Sequence, residues 1–322
     1  MDRPTRLRRG AAAGVCLALA IAAPATRGQD VRFVRSQLTW FDRAGRKLGV
    51  VGRMADYGNL ELSPDGRRIA VGVLTDARRG TRDIWVVDAA TGAHTAFTSD
   101  PADENWAIWS PDGSALIFNS GRDGGLDLYR APAAAVDPRP GEPLLVDSDA
   151  KWPVSWSSDG RSILYVIGGR EGGNHIRVLP LQRDRRPLPY RQGSDSENWA
   201  ALSPDGKWVA YSSTESGQPE VYVAPFAATG AGSKQRVSHG GGLQARWRRD
   251  GGELYYVSSD RQLMAADVRP GGGAALMIGE PHALFELQFP YWQYHAFDAA
   301  ADGQRFLVNV LVTLPGTASA AH

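Results

Sequence analysis

The chain is 322 residues long and carries 36 Lys and Arg against 35 Asp and Glu, a formal net charge of +1. So even a balance leaves no electrostatic footprint for nucleic acid or an acidic membrane surface, and neither is expected as a partner. The 37 Gly and 20 Pro supply many turns, and the 10 Trp and 10 Tyr suit strands, so one large all-β domain is compatible with this length.

The first residues have the organisation of an export signal. Arg3, Arg6, Arg8 and Arg9 form a basic start, Gly10 to Ala23 is an apolar run of 14 residues, and Ala23-Pro24-Ala25 offers a small-residue cleavage pattern. The run is shorter than the about 20 residues a bilayer-spanning helix needs. Residues 1–25 are therefore read as a signal peptide and 26–36 as a linker. The product is expected to be periplasmic or secreted, with no transmembrane segment after cleavage. Cys16 is the only cysteine and would leave with the signal, so neither a disulfide nor thiolate chemistry is expected. Loss of four Arg and one Asp would move the net charge from +1 to −2.

Beyond the linker the chain repeats itself. Ser63-Pro64-Asp65-Gly66 recurs as Ser110-Pro111-Asp112-Gly113, Ser157-Ser158-Asp159-Gly160 and Ser203-Pro204-Asp205-Gly206, and more weakly as Arg248-Arg249-Asp250-Gly251 and Ala300-Ala301-Asp302-Gly303. From Gly to Gly the spacings are 47, 47, 46, 45 and 52 residues. Pro presets φ, Asp bonds the local backbone and Gly takes φ > 0, which is the chemistry of a tight hairpin turn. An apolar strand follows each turn, from Ile69-Ala70-Val71 to Phe306-Leu307-Val308. These strands are apolar on both faces and must be covered on both sides. A third strand follows, as in Asp83-Ile84-Trp85-Val86, Asp127-Leu128-Tyr129 and Glu220-Val221-Tyr222-Val223. A fourth is read in Thr95-Ala96-Phe97-Thr98 and Leu144-Leu145-Val146. Four short strands per repeat of about 45 residues make a propeller blade.

The sixth turn has only one strand after it. Its missing outer strands are found at the front of the chain, in Gln37-Leu38-Thr39-Trp40-Phe41-Asp42 and Leu48-Gly49-Val50-Val51. The expected fold is thus all-β: a six-bladed β-propeller over residues 37–312, closed by an N-terminal hairpin completing the last blade. Closure removes the sheet edges an open array would expose. Residues 313–322 are read as a flexible tail.

The S-P-D-G turn, the I-A or I-F strand after it and the D-I-W or D-L-Y strand resemble the WD40-like (PD40) repeats of the TolB family. Leu38-Thr39-Trp40-Phe41-Asp42, the run from Gln244 to Gly251 and the run from Asp302 to Val308 are also similar to the propeller behind the kinase domain of many bacterial serine/threonine kinases. No Gly-rich loop, H-R-D or D-F-G is present, so kinase activity is not implied. The TolB resemblance implies a role at the cell envelope.

No G-x-S-x-G elbow occurs, and the histidines His94, His175, His239, His282, His295 and His322 form no H-x-x-x-H pair. Asp123-Gly124 lacks the D-x-D-x-D-G context of a calcium loop and is read as a turn. No catalytic residue, metal ligand or cofactor is assigned. The connectors from a fourth strand to the next first strand should surround the channel mouth, where loops on a rigid scaffold commonly bind. Two are near-copies, Glu104-Asn105-Trp106-Ala107 and Glu197-Asn198-Trp199-Ala200. With Tyr57, Asn59, Lys151, Trp152, Gln244, Tyr294 and His295 they form an expected ligand-binding rim of aromatics and amides. Trp109, Trp156 and Trp247 precede the turns and are read as core. Arg246, Arg248 and Arg249 flank a turn, and Arg183, Arg185 and Arg186 flank another; both could grip an anion and are read as solvated surface. The expected function is a non-enzymatic, monomeric scaffold that binds a protein or peptide partner in the cell envelope. The alternatives are a sugar- or lactone-acting propeller enzyme with a channel metal, and a sensor module derived from a receptor kinase.

Overall fold

The computed structural model describes residues 34–313, apart from 135–137, 139, 169–172, 183–184, 192–194, 227–232 and 272–274. The signal peptide with Cys16, most of the linker, Arg183 and the tail beyond residue 313 therefore lie outside the described residues. Every described element is a strand, and no helix long and apolar enough to cross a membrane occurs among them.

In chain order the strands are β1 (Ser36–Asp42), β2 (Lys47–Ala55), β3 (Tyr57–Leu62), β4 (Arg68–Asp76), β5 (Thr81–Asp88), β6 (His94–Ala96), β7 (Glu104–Trp109), β8 (Ala115–Ser120) and β9 (Asp127–Pro132). There follow β10 (Glu142–Leu145), β11 (Lys151–Trp156), β12 (Ser162–Gly168), β13 (Asn174–Pro180), β14 (Leu188–Pro189), β15 (Glu197–Leu202), β16 (Trp208–Ser213) and β17 (Glu220–Pro225). The last are β18 (Gln235–Arg236), β19 (Leu243–Trp247), β20 (Glu253–Val257), β21 (Gln262–Pro270), β22 (Leu276–Ile278), β23 (His282–Glu286), β24 (Phe297–Ala299) and β25 (Arg305–Leu311). They form six antiparallel blades, β3 to β6, β7 to β10, β11 to β14, β15 to β18, β19 to β22 and the closing sheet β2-β1-β25-β24.

The closing blade is shared between the two ends of the described chain, as the half-blade offset of the repeats predicts. β1 pairs with β25 from Ser36↔Leu311 to Asp42↔Arg305. Its seam with the first blade is apolar: Leu38, Val51 and Leu307 pack with Tyr57, Leu60 and Ile69 in one cluster. One element departs from the four-strand expectation. β23 pairs with the first half of β21 while β22 pairs with its end, so the fifth blade carries a spare outer strand. This addition accounts for the long last spacing of 52 residues.

The turns follow from their residues. Ser63 Oγ donates to Asp65 Oδ1 at 2.5 Å and accepts Arg68 N–H at 2.9 Å, and Gly66 sits at φ +68°. The turns at Ser110, Ser157 and Ser203 repeat this bonding with the Asp two residues on. Where Arg248 replaces the Ser, its guanidinium takes over, with Nε 2.6 Å from Asp250 Oδ1 and Nη1 2.7 Å from Glu253 Oε2.

β3, β7, β11, β15 and β19 are the first strands of their blades, and each has a register shift in its middle. In three blades the residue four before the turn takes a left-handed backbone: Trp106 at φ 46°, Trp199 at 58° and Gln244 at 59°. Such conformations cost about 1–3 kcal/mol for non-glycine residues and persist only when packing holds them.

Candidate functional site

Trp106 and Trp199 come from the second and fourth blades, which are not neighbours, yet their ring centroids are 5.3 Å apart. Only on the channel axis can they meet. His295, just before β24, stands edge-on to both, at 5.7 Å and 5.0 Å. Tyr294 adds a fourth ring, 6.1 Å from Trp106. Trp106 and Trp199 are 7% and 8% exposed and His295 is 2% exposed. Asn59 and Gln244 support this stack from either side. Asn59 Oδ1 accepts His295 N–H at 3.1 Å, Gln244 Oε1 accepts Ala296 N–H at 2.8 Å, and Gln244 Nε2 donates to Trp292 O at 3.2 Å. The connector end of the channel is thus filled by side chains.

The other residues expected at the rim serve their own surroundings. The Tyr57 hydroxyl donates to Arg53 O at 2.5 Å and lies 2.9 Å from His94 Nε2. Asn105 Oδ1 accepts Trp106 N–H at 3.0 Å, and Asn198 Oδ1 accepts Asn174 Nδ2–H at 2.7 Å. Trp152 is buried. Lys151 is 1% exposed; its Nζ lies 2.7 Å from Asp127 Oδ1, 2.6 Å from Asp147 Oδ1 and 2.6 Å from Asp149 O.

The open end is the opposite one. A cavity of about 660 Å³ occupies the mouth on the side of the Ser-Pro-Asp-Gly turns, within the roughly 300–1,000 Å³ typical of small-molecule sites. Trp109, Trp156 and Trp247, read as core, line it together with Trp40, and so do Glu61 and Asp298. Glu61 and Asp298 stand two residues before the first residue of their turns, as do Ser155 and Arg246 in other blades. The residue after each is the last of the strand, so this row rings the channel just inside the mouth.

Arg246 is 9% exposed, which corrects the surface reading of this residue. Its Nη1 lies 3.9 Å from Glu61 Oε2 and its Nε 4.0 Å from Asp298 Oδ1. Neither Nε nor Nη2 has a hydrogen-bond partner. Asp298 is anchored by backbone donors, Leu62 N–H at 2.8 Å and Ala299 N–H at 2.8 Å. Glu61 accepts Trp109 N–H at 3.2 Å. Burial raises the Glu61 carboxyl to about 8, with Asp298 adding to the rise and Arg246 opposing it. Burial, reinforced by the positive charge of Arg246, holds His295 well below the usual imidazole value, so its ring is neutral at pH 7. Two carboxyls at one cavity floor, one of them protonated at neutral pH, are the parts of a general acid–base pair. The sequence held no motif for this pair. Its signal was positional, two residues before a repeated turn.

Among the described residues no group of three or more His, Cys, Asp or Glu side chains is placed to hold a metal ion. Around Asp127 and Asp147 an ammonium, that of Lys151, already occupies the place a cation would take.

No family model matches the chain. A curated relative, named uncharacterized peptidase YuxL, from Bacillus subtilis (strain 168), is 27% identical over 193 residues, 47% of this chain. The chain spans 28% of the length of that relative. A solved protein described as TolB from Agrobacterium tumefaciens superposes with a TM-score of 0.67 at 19% identity, covering 87% of this chain and 99% of its own. An oligogalacturonate lyase solved in complex with manganese gives 0.54 at 16% identity, covering 85% and 78%. The fold is therefore the TolB-like propeller. The expectation of a non-enzymatic chain is corrected: a relative in sequence is named an uncharacterized peptidase and a protein of similar fold is named a lyase, so a closed ring without a recognised catalytic motif does not argue against catalysis.

Proposed function

We propose that the protein is a propeller enzyme that cleaves a C–O bond by general acid–base chemistry in the turn-side cavity. The observation that carries this is the pairing of Glu61 and Asp298 at the cavity floor, with Arg246 within 4.0 Å of each and the Glu61 carboxyl near 8. In this reading Glu61 keeps its proton at pH 7 and donates it to the leaving oxygen. Asp298, fixed by two backbone N–H groups, receives a proton from the attacking water or faces positive charge developing on the substrate. Arg246, beside both carboxyls, orients them from behind the cavity wall. The relative named a peptidase and the protein of similar fold named a lyase lend support.

The test is turnover by the purified protein on chromogenic esters, lactones and glycosides, with Glu61→Gln and Asp298→Asn alongside. At least one substrate class is expected to turn over, with a loss of about 100-fold or more in Glu61→Gln. Unchanged activity in both variants would refute the assignment.

We further propose that the protein is exported, on the strength of the basic start, apolar run and Ala-Pro-Ala site of residues 1–25. N-terminal sequencing of protein recovered outside the cytoplasm is expected to begin at Thr26. An uncleaved chain confined to the cytoplasm would contradict export.

A further inference from the structure

The cavity also bears marks of its ligand. Resting on the reading of that cavity as the active site, we propose that its substrate is an uncharged oligosaccharide whose ring faces lie on Trp156 and Trp247.

The first argument concerns what the indoles can offer. The last residues of the inner strands include Trp109, Trp156 and Trp247 on the second, third and fifth blades. Each N–H is already spent on a backbone carbonyl: Trp109 on Glu61 O at 3.1 Å, Trp156 on Gly160 O at 3.3 Å and Trp247 on Ala201 O at 2.9 Å. Guanidinium groups lie over some of these rings, Arg68 at 4.5 Å from Trp109 and Arg130 at 5.5 Å from Trp156. The rings are therefore held in place and present faces rather than donors. Trp109 is 3% exposed and acts as support, while Trp156 and Trp247 are partly exposed in the cavity wall. A fixed aromatic face gives contact area with no rotor left to freeze, and it suits the C–H face of a sugar ring.

Charge supplies the second argument. Asp298 is answered by Arg246 at the floor, and Glu61 is neutral at pH 7. On the rim Arg249 is bound to Pro64 O and Arg305 lies 5.0 Å over Trp40, and both are exposed in the lining with the carboxylates of Asp65 and Asp302. The lining thus sets the cations Arg249 and Arg305 against the carboxylates Asp65, Asp298 and Asp302, a negative balance that disfavours a uronate, a phosphate or a peptide carboxylate. The rim presents the acceptors of Asp65 and Asp302 and the donors of Arg249 and Arg305, a mixture that suits hydroxyl groups, which both donate and accept.

The test is isothermal titration of the Glu61→Gln protein, which should bind without cleaving, with cellotetraose, xylotetraose and mannotetraose as neutral probes. Tetragalacturonate is the anionic probe. Saturable binding is expected for at least one neutral probe, with tetragalacturonate about tenfold weaker or worse. Trp156→Ala and Trp247→Ala should each weaken binding by about tenfold, whereas Trp156→Phe, which keeps an apolar face, should retain most of it. Preference for tetragalacturonate, or failure of every neutral probe to bind, would overturn the proposal. The two readings fail separately. Sugar binding without cleavage by the wild-type protein would sink the acid–base assignment alone. Glu61-dependent cleavage of an ester or lactone without sugar binding would sink only the substrate class.

Discussion

Trp106 shows what a single residue does here. Its φ of 46° is a conformation that suits glycine, yet the site holds a tryptophan because its ring completes the stack with Trp199 and His295. Truncating a buried aromatic costs about 3–5 kcal/mol. Trp106→Ala should therefore lower stability by that amount. Trp106→Gly should lower it by about 1 kcal/mol less, reversing the usual order of Ala over Gly in strands, because it relieves the left-handed strain. Chemical denaturation of the two variants checks this, and an Ala variant more stable than the Gly variant would contradict it. The near-copies Asn105-Trp106 and Asn198-Trp199 were visible in the sequence. Their burial was not, because a bulge that turns a side chain onto the axis leaves no mark in hydrophobic periodicity.

At the scale of the element, the turns were legible because their chemistry is local. Ser, Asp and Gly within four residues satisfy one another, and the structure repeats the same bonds at Ser63, Ser110, Ser157 and Ser203. The spare strand β23 was not legible, since His282–Glu286 is short and its burial is mixed. Nor was the acid pair, since Glu61 and Asp298 lie 237 positions apart and meet only once the ring closes. The closing hairpin is latched by its own turn. Arg43 reaches from between β1 and β2 to Glu253 of the fifth blade at 2.8 Å and to Gly303 O at 3.0 Å. Glu253 is 5% exposed and shares Arg248 and Tyr255 as partners. Arg43→Ala should cost about 1.5–3 kcal/mol, as expected for hydrogen bonds to a charged group. A thermal melt shifted by less than one degree would show that the latch adds nothing.

For the whole molecule, closure is what creates a site. Six inner strands bring side chains to one axis, including pairs such as Trp106 and Trp199 from blades that are not neighbours. One end of the channel is packed with aromatics, and the other is left as a cavity with carboxyls at its floor. The sequence pointed to the connector end because aromatics and amides gather there. The structure spends those residues on packing and leaves the opposite mouth open. That arrangement gives Glu61 its unusual proton affinity, since burial beside Asp298 outweighs the pull of Arg246. Because the folded carboxyl holds its proton above its ordinary 4.5, the stability due to Glu61 is complete below that pH and is lost as pH rises through about 8. The most direct measurement is an infrared titration of wild-type protein against Glu61→Gln, following the protonated-carboxyl band. A component of the band present at neutral pH in the wild type, lost near pH 8 and missing from the variant, beside the Glu197 component lost near pH 7 in both, is the predicted result. A Glu61 carboxyl that ionises near its ordinary value of 4.5 would contradict the account.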